Sequence, residues 1–350
     1  LAGQITIALD AMGGDLGCEA VVGGASLARI RHPQVHYEFH GDEKLLAPLL
    51  AADRALQAVS HVHHSDVAVS MEDKPSKALR AGRRVSSMWR AIDAVKQGRA
   101  QAALSCGNTG ALTVMARMLL KTMPGIERPA LAAIWPTMRG ESIVLDVGAN
   151  VVAEQKNLVN FAIMGEAMAR TALGQQQPTV GLLNIGTEEM KGNEQVQGAA
   201  QVLRATDLEF TFHGFVEGDD ISKGTVDVVV TDGFTGNVAL KTAEGTARLI
   251  ADYLSHAMRR SLASRLGYVL ARGAFAVLRQ RMDPSRVNGG VFLGLNGVVV
   301  KSHGSATADG IASALDLAID MARHDIIRKI ATDLAAVQDA AGAEPEPAAR

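Results

Sequence analysis

Val226-Asp-Val-Val-Val-Thr-Asp-Gly-Phe-Thr-Gly-Asn237 decides how this chain folds. Its first half is β-branched with a single polar interruption at Asp227. A strand apolar on both sides is buried on both faces, as in a parallel sheet covered by helices above and below. Its second half is a glycine turn. A long helical pattern follows, from about residue 237 to 281, with Gly267 and Gly273 as candidate breaks. Strand, glycine turn and helix make half of a βαβ unit.

The same unit recurs in both directions from there. Apolar runs at 5–9, 35–39, 102–105, 131–135, 143–147, 179–184, 208–215, 291–293 and 298–301 read as strands. Helical periodicity falls between them at 19–31, 43–52, 88–97, 109–121, 158–173 and 195–204, and again at 306–337. Ser86 is placed to cap the helix at 88–97. The expected fold is α/β, with a mainly parallel sheet sandwiched by helices. Residues 1–337 are expected to form one large catalytic unit, and a division into two lobes sharing a cleft is left open. The tail 338–350, rich in Ala, Pro and Glu, is expected to be disordered.

Composition narrows the function classes. With 47% hydrophobic and 21% charged residues, 350 residues can bury a sizeable core. The 35 basic residues nearly balance 37 acidic ones, which gives no global argument for nucleic-acid binding. Two cysteines, Cys18 and Cys106, exclude a disulfide scaffold and fit a reducing cytosol. The longest apolar run, 100–116, is interrupted by Gln101, Ser105, Asn108 and Thr109, and is too short to span a bilayer. The N-terminus has no signal-peptide pattern, so the expected location is the cytoplasm, with peripheral membrane contact left open.

The 35 glycines concentrate where strands end, at 10–15, 105–110, 146–150, 184–192, 232–237 and 301–305. In open parallel sheets the ligand cleft lies beyond the carboxyl ends of the strands. Six such loops sharing one edge would make a cleft of backbone donors and helix N-termini suited to an anion. Taken singly, each loop also reads as a plain turn with a helix cap. GxGxxG after a strand, GxxxxGK[ST], GxSxG and HExxH do not occur, which argues against dinucleotide, P-loop, nucleophile-elbow and zincin chemistry. His61, His63 and His64 can ligate a metal or form a solvated segment between strand and loop; the second is favoured. Cys106, in a glycine loop before a helix, reads better as a small buried side chain than as a nucleophile.

Read together, the loops resemble the bacterial phosphate acyltransferase family, PlsX. The motifs are Asp10-Ala-Met-Gly-Gly-Asp15, Gly107-Asn-Thr-Gly-Ala111, Leu145-Asp-Val-Gly-Ala-Asn150, Leu183-Asn-Ile-Gly-Thr-Glu-Glu-Met-Lys-Gly192, Asp232-Gly-Phe-Thr-Gly-Asn-Val-Ala-Leu-Lys241 and Gly294-Leu-Asn-Gly-Val-Val-Val-Lys-Ser-His-Gly-Ser305. They run in order from about residue 4 to 337. Cys18 stands where the family usually has proline, and Val152 where it usually has an acidic residue. The resemblance implies a fold like that of the isocitrate/isopropylmalate dehydrogenases and phosphotransacetylases, with a protruding helical hairpin. It implies acyl transfer from acyl-[acyl carrier protein] to inorganic phosphate, giving acyl phosphate for phospholipid synthesis. It also implies a homodimer whose product passes to a membrane glycerol-3-phosphate acyltransferase, with no cofactor, no metal and no nucleic acid.

That chemistry needs no protein nucleophile. It needs phosphate held beside a thioester carbonyl and an oxyanion stabilised. On the resemblance, Lys301, His303, Asp232 and Asn237 are the catalytic candidates. Asn108, Thr109, Gly110, Asn184, Gly186, Thr187, Lys191, Thr235, Gly304 and Ser305 are the candidates for binding substrate. Lys301 would hold phosphate as a point charge, and His303 would orient phosphate, take a proton or donate to the oxyanion.

Residues 259–286 hold seven arginines and one acid, Asp283. Within the helical region expected at 255–288, Arg265, Arg272 and Arg279 are seven apart, on one helical stripe beside Leu262, Leu266, Val269 and Val277. With Arg259 and Arg260 they would suit an anionic membrane surface or an acidic carrier protein. A core helix with a solvated basic face is the plainer reading. For the whole chain, a phosphotransacetylase-like enzyme acting on acyl-CoA and a non-catalytic membrane-associated scaffold for lipid enzymes stand as alternatives.

Overall fold

The computed structural model describes residues 4–206, 210–275 and 289–342, without the side chains of residues 262 and 336–342. Strands and helices alternate as expected. The strands are β1 (Thr6–Asp10), β2 (His36–Gly41), β3 (Ser60–His64), β4 (Ala102–Ser105), β5 (Ala130–Thr137), β6 (Gly140–Leu145), β7 (Thr179–Leu183), β8 (Thr211–Val216), β9 (Val228–Val230), β10 (Gly290–Leu293) and β11 (Val298–Lys301). The helices are α1 (Gly17–Arg31), α2 (Glu43–Ala52), α3 (Arg54–Gln57), α4 (Pro75–Gly82), α5 (Ser87–Lys96), α6 (Thr109–Leu120), α7 (Gln155–Met168), α8 (Glu194–Ala205), α9 (Gly218–Lys223), α10 (Gly233–Arg259), α11 (Leu262–Leu270), α12 (Ala308–Arg323) and α13 (Ile326–Gly342). Among the described residues, no helix is long and apolar enough to cross a membrane.

One eleven-stranded sheet runs β3-β2-β1-β4-β11-β10-β5-β6-β9-β7-β8. The strands β3, β2, β1, β4 and β11 are mutually parallel. So are β6, β9, β7 and β8. Between the two sets, β10 is antiparallel to both β11 and β5, and β5 is antiparallel to β6. The second parallel set therefore runs opposite to the first. This corrects the expectation of a single shared edge: the loops after β1, β4 and β11 leave one edge, and those after β6, β7 and β9 leave the other.

Each sheet face has its own core. On one, Ile7, Leu9, Leu104, Leu145, Val228 and Val291 pack against residues of α1, α7 and α12, among them Val21, Phe161 and Leu315. On the other, Ala8, Ala103, Leu131, Ala133, Val144, Val229 and Val299 pack with Trp89, Leu112 and Ile221. This second face is small-residue near its centre, and the site lies above it.

Several boundaries differ from expectation. The segment at His61–His64 is not a loop approach but an edge strand, β3, paired in parallel with β2. The helix expected over 306–337 is two helices, separated at Asp325, whose φ is +50°. The long helix after β9 breaks at Arg260–Ser261, where Ser261 caps α11 by accepting from Ser264 N, and α11 ends at Leu270. Neither break falls at Gly267 or Gly273. The first residues of the tail expected to be disordered, 338–342, belong to α13. Its remainder lies outside the described residues, as does Arg279.

Candidate active site

Three loops of the first parallel set pack backbone on backbone. Asp15 N donates to Gly304 O at 2.7 Å, and Ser302 N to Ser105 O at 3.0 Å. Gly14 has φ +85°, and a Cβ there would lie 2.8 Å from both the Cys106 Cβ and Gly304 O. Only glycine satisfies both the backbone sign and the space. Beneath them Asp10 is buried, accepting from Ser87 Oγ and Ser105 Oγ at 2.6 Å each. Burial pushes its carboxyl up from 3.8, against the pull of those two hydroxyls.

From the other set, α10 begins against the loop after β6. Asp146 is fully buried and accepts from the backbone N–H of Leu131, Gly148, Ala149 and Asn150 at 2.7–3.0 Å. Gly233 N donates to Asn150 O at 2.7 Å. A Cβ on Gly236 would fall onto the Asp146 carbonyl oxygen, so the Gly-Phe-Thr-Gly spacing lets the first turn of α10 lie on that loop.

Between these two groups, over the face of β5 and β10, lies a cavity of about 740 Å³. Leu131, Ala133, Trp135, Pro136 and Met138 give it an apolar floor. Thr109, Lys301, Ser302 and His303 enter from one side, and Gly148, Asn237, Lys241 and Glu244 from the other. The two parallel sets thus meet over the seam of the sheet rather than at one edge.

Lys301 is buried at the end of β11. Its Nζ donates to Ser302 O and lies 3.5 Å from Cys106 O. Burial brings its ammonium down from 10.5 to about 8. His303 lies with its Nε2 3.3 Å from Glu244 Oε1. Desolvation lowers its imidazole below 6.5; Glu244 pulls the other way, and Lys241, Lys301 and Arg248 add to the lowering. Burial also pushes the Cys106 thiol up to about 11, which leaves it a poor nucleophile at neutral pH.

The expected residues do not all meet. Lys301, His303, Asn237 and Thr109 line the cavity. Asp232 instead caps α10, accepting from Thr235 N at 2.8 Å and from Thr235 Oγ1 at 3.0 Å, so both side chains are engaged with each other. Asn108 is likewise committed: it caps α6 through Ala111 N and donates to Met71 O and Asp73 O. Gly110 packs on Pro75, and Gly304 packs on Met71 beside Asp15. Neither they nor Ser305 line the cavity. The Asn184–Gly192 loop closes on itself: Asn184 Nδ2 donates to Lys191 O, and Gln197 Nε2 donates to the carbonyls of Met190, Lys191 and Gly192. Asn184, Gly186, Thr187 and Lys191 are absent from the cavity wall: β7 lies beyond β6 and β9, further from the β5–β10 seam over which the cavity sits.

Two residues of the site were not anticipated. Glu244 is only 8% exposed, and its Oε2 lies 2.9 Å from Lys241 Nζ and 3.5 Å from Arg248 Nη2. The signal was present: Asn237, Lys241, Glu244 and Arg248 recur at helical spacing on one face of α10. Elsewhere, Glu38, His40 and His63 bring donor atoms within 4.8 Å of one another. Arg99 Nη1 bonds Glu38 and lies 3.2 Å from His63 Nε2, so a cationic side chain already stands at this trio.

The chain matches the model of a family described as fatty acid synthesis proteins over residues 5–329. It is 62% identical to the phosphate acyltransferase of Parvibaculum lavamentivorans, over 94% of this chain and 91% of that one. It is 57% identical to the phosphate acyltransferase of Azorhizobium caulinodans, over 99% and 98% of the two chains. Among solved structures, a phosphotransacetylase from Streptococcus pyogenes superposes with a TM-score of 0.63 at 17% identity, covering 92% of this chain and 94% of that one. The EutD phosphotransacetylase from Staphylococcus aureus superposes at 0.58 and 15%, covering 92% and 95%. A 4-hydroxythreonine-4-phosphate dehydrogenase from Klebsiella pneumoniae gives 0.52 at 14%, covering 91% and 100%. At such identities the structural matches speak to the fold alone, and they agree with the α/β architecture above. The sequence relatives go further: the chain belongs to the phosphate acyltransferase (PlsX) family and is an acyltransferase.

Proposed function

We propose that the enzyme moves a fatty acyl group from the thioester of acyl-[acyl carrier protein] to inorganic phosphate, giving an acyl phosphate for phospholipid synthesis. The observation that carries this reading is the cavity itself, where a cationic end built from Lys241 and Lys301, with His303 beside it, adjoins an apolar floor from Leu131 to Met138. Phosphate suits the first and an acyl chain the second. A phosphate oxygen attacks the thioester carbonyl, a C–O bond forms, the C–S bond breaks, and the carrier thiolate leaves. Thr109 and Asn237 line the same cavity, and their hydroxyl and amide groups would donate to the tetrahedral oxyanion. The protein supplies position and charge, and Cys106 stays outside the bond changes.

The test is direct. Purified enzyme with acyl-[acyl carrier protein] should release carrier thiol only when phosphate is added, with a hydroxylamine-trappable acyl phosphate in equal amount. Thiol release that is indifferent to phosphate would overturn the reading. Faster turnover of short acyl-CoA than of long acyl-carrier protein would move the donor to coenzyme A, the phosphotransacetylase-like alternative.

The same reading extends to location and assembly. Arg259, Arg260, Arg265 and Arg272 are exposed, close in sequence to exposed Leu266, Val269 and Leu270. Apolar side chains among basic ones suit peripheral contact with an anionic membrane, where the fatty product is consumed. Acidic carrier protein fits the same charges. A homodimer, and transfer of product to a membrane glycerol-3-phosphate acyltransferase, complete the proposal.

A further inference from the structure

We infer that Glu244 is a positioning residue that sets the orientation and charge of His303. This rests on the proposed reaction, since it assigns His303 a part in it. Glu244, the twelfth of the 27 residues of α10, is nearly buried. A buried carboxylate is costly unless paired. Its Oε2 is taken by Lys241 at 2.9 Å and Arg248 at 3.5 Å, which leaves Oε1 facing His303 Nε2 at 3.3 Å. Lys241 and Arg248, on the same helix face, brace the carboxylate from both sides. An imidazole whose Nε2–H is donated to a carboxylate carries its lone pair on Nδ1. A carboxylate 3.3 Å from Nε2 favours a proton there and holds the ring at the cavity wall, as a carboxylate holds a catalytic histidine in other enzymes.

The charges around His303 make the consequence calculable in sign. Glu244 pulls its pKa up, against Lys241, Lys301 and Arg248. Asp10 and Asp15 act on Lys301 instead. Glu244→Gln keeps the shape and an acceptor oxygen but removes the charge. The imidazole then loses that upward pull while burial and the three cations remain, so its pKa falls further.

Two measurements decide the matter. In a histidine-labelled protein, NMR titration should show the His303 ring titrating about one pH unit lower in Glu244→Gln than in the parent. An unchanged His303 titration would overturn the inference, whatever the enzyme's substrate proves to be. In the acyl phosphate assay, the limb of the kcat profile governed by His303 should move to lower pH by the same amount, whether the ring acts as base or as acid. Glu244→Gln should lower kcat about 10- to 100-fold. Added to His303→Ala, it should lower kcat no further, because it acts through the ring. Independent, multiplying losses in the double variant would overturn the assignment. Loss of acyl phosphate formation in the parent enzyme would count against the proposed function, and leaves the NMR result to judge Glu244 separately.

Discussion

Lys301 carries a stability cost that its proposed role in holding phosphate explains. Burial holds its ammonium at about 8 against 10.5 in the free side chain. Below about pH 8 the group is charged in both folded and unfolded chains, and the cost of desolvating it is fully felt. As pH rises from 8 towards 10.5 the folded chain sheds the proton first, and the cost fades. Lys301→Met should therefore stabilise the ligand-free protein at pH 7 by on the order of 2 kcal/mol, an advantage that closes by about pH 10.5. Thermal melts across that range check this; a variant less stable than the parent at pH 7 would contradict it. The same variant should raise the KM for phosphate at least about tenfold, since the cation that phosphate meets is gone. Cys106 gives the opposite expectation. With its thiol pushed up to about 11, Cys106→Ala should keep kcat within about threefold, and iodoacetamide at pH 7 should leave the parent enzyme active. At this scale Lys301, His303, Asn237 and Thr109 were legible in the sequence, because each ends a strand or opens a helix beside a glycine turn. Glu244 and Lys241 were not, because a charged stripe on a helix reads the same whether it faces water or a cavity.

Among elements, α10 shows how one helix serves two purposes. Its N-terminus must touch the loop after β6, and its middle carries the site. Gly236→Ala should cost about 1–3 kcal/mol or abolish folding, since its Cβ meets the Asp146 carbonyl. Gly245→Ala, on the same helix next to Glu244 and with nothing within 4 Å of a new Cβ, should instead stabilise by about 0.5–1 kcal/mol. Urea denaturation of the two variants checks the contrast, and equal effects would refute it. Strands buried on both faces, such as β9 and β11, were readable because nothing else explains a run of valines. The edge strand β3 was not, because Ser60-His-Val-His-His64 needs only one apolar residue when one side of the strand has no partner. The division between α12 and α13 was hidden because it rests on a positive φ at Asp325, where a glycine would have announced it.

For the whole molecule, the βαβ pattern made the mainly parallel sheet legible but not the direction of its halves. Two neighbouring parallel sets look alike in sequence whether they run together or opposed. Strand order is hidden too: the loop at Asn184–Gly192 looks like the other glycine loops in sequence, yet it sits apart because β7 lies beyond β6 and β9. Net charge is equally blind to arrangement: −2 overall coexists with an exposed run of arginines near α11. Replacing Arg265 and Arg272 by Glu together should weaken binding to anionic liposomes about tenfold or more at low salt, with the difference shrinking as salt is raised. Unchanged affinity for liposomes but lost affinity for carrier protein would give this surface to the protein partner. Unchanged binding to both would make it a solvated face.

The central seam also imposes an order of assembly. β4 pairs with β1 and β11, and β5 with β6 and β10, so two half-sheets have no strand between them until the last third of the chain is made. Lys301 must find its place beside Ser105, and Gly290 beside Ala133, from far along the chain. Such distant pairing is slow, and it leaves facing edges open while the ribosome is still at work. The nascent chain therefore carries open strand edges where the cavity will stand, and that cavity is complete only when a late hairpin has closed the gap.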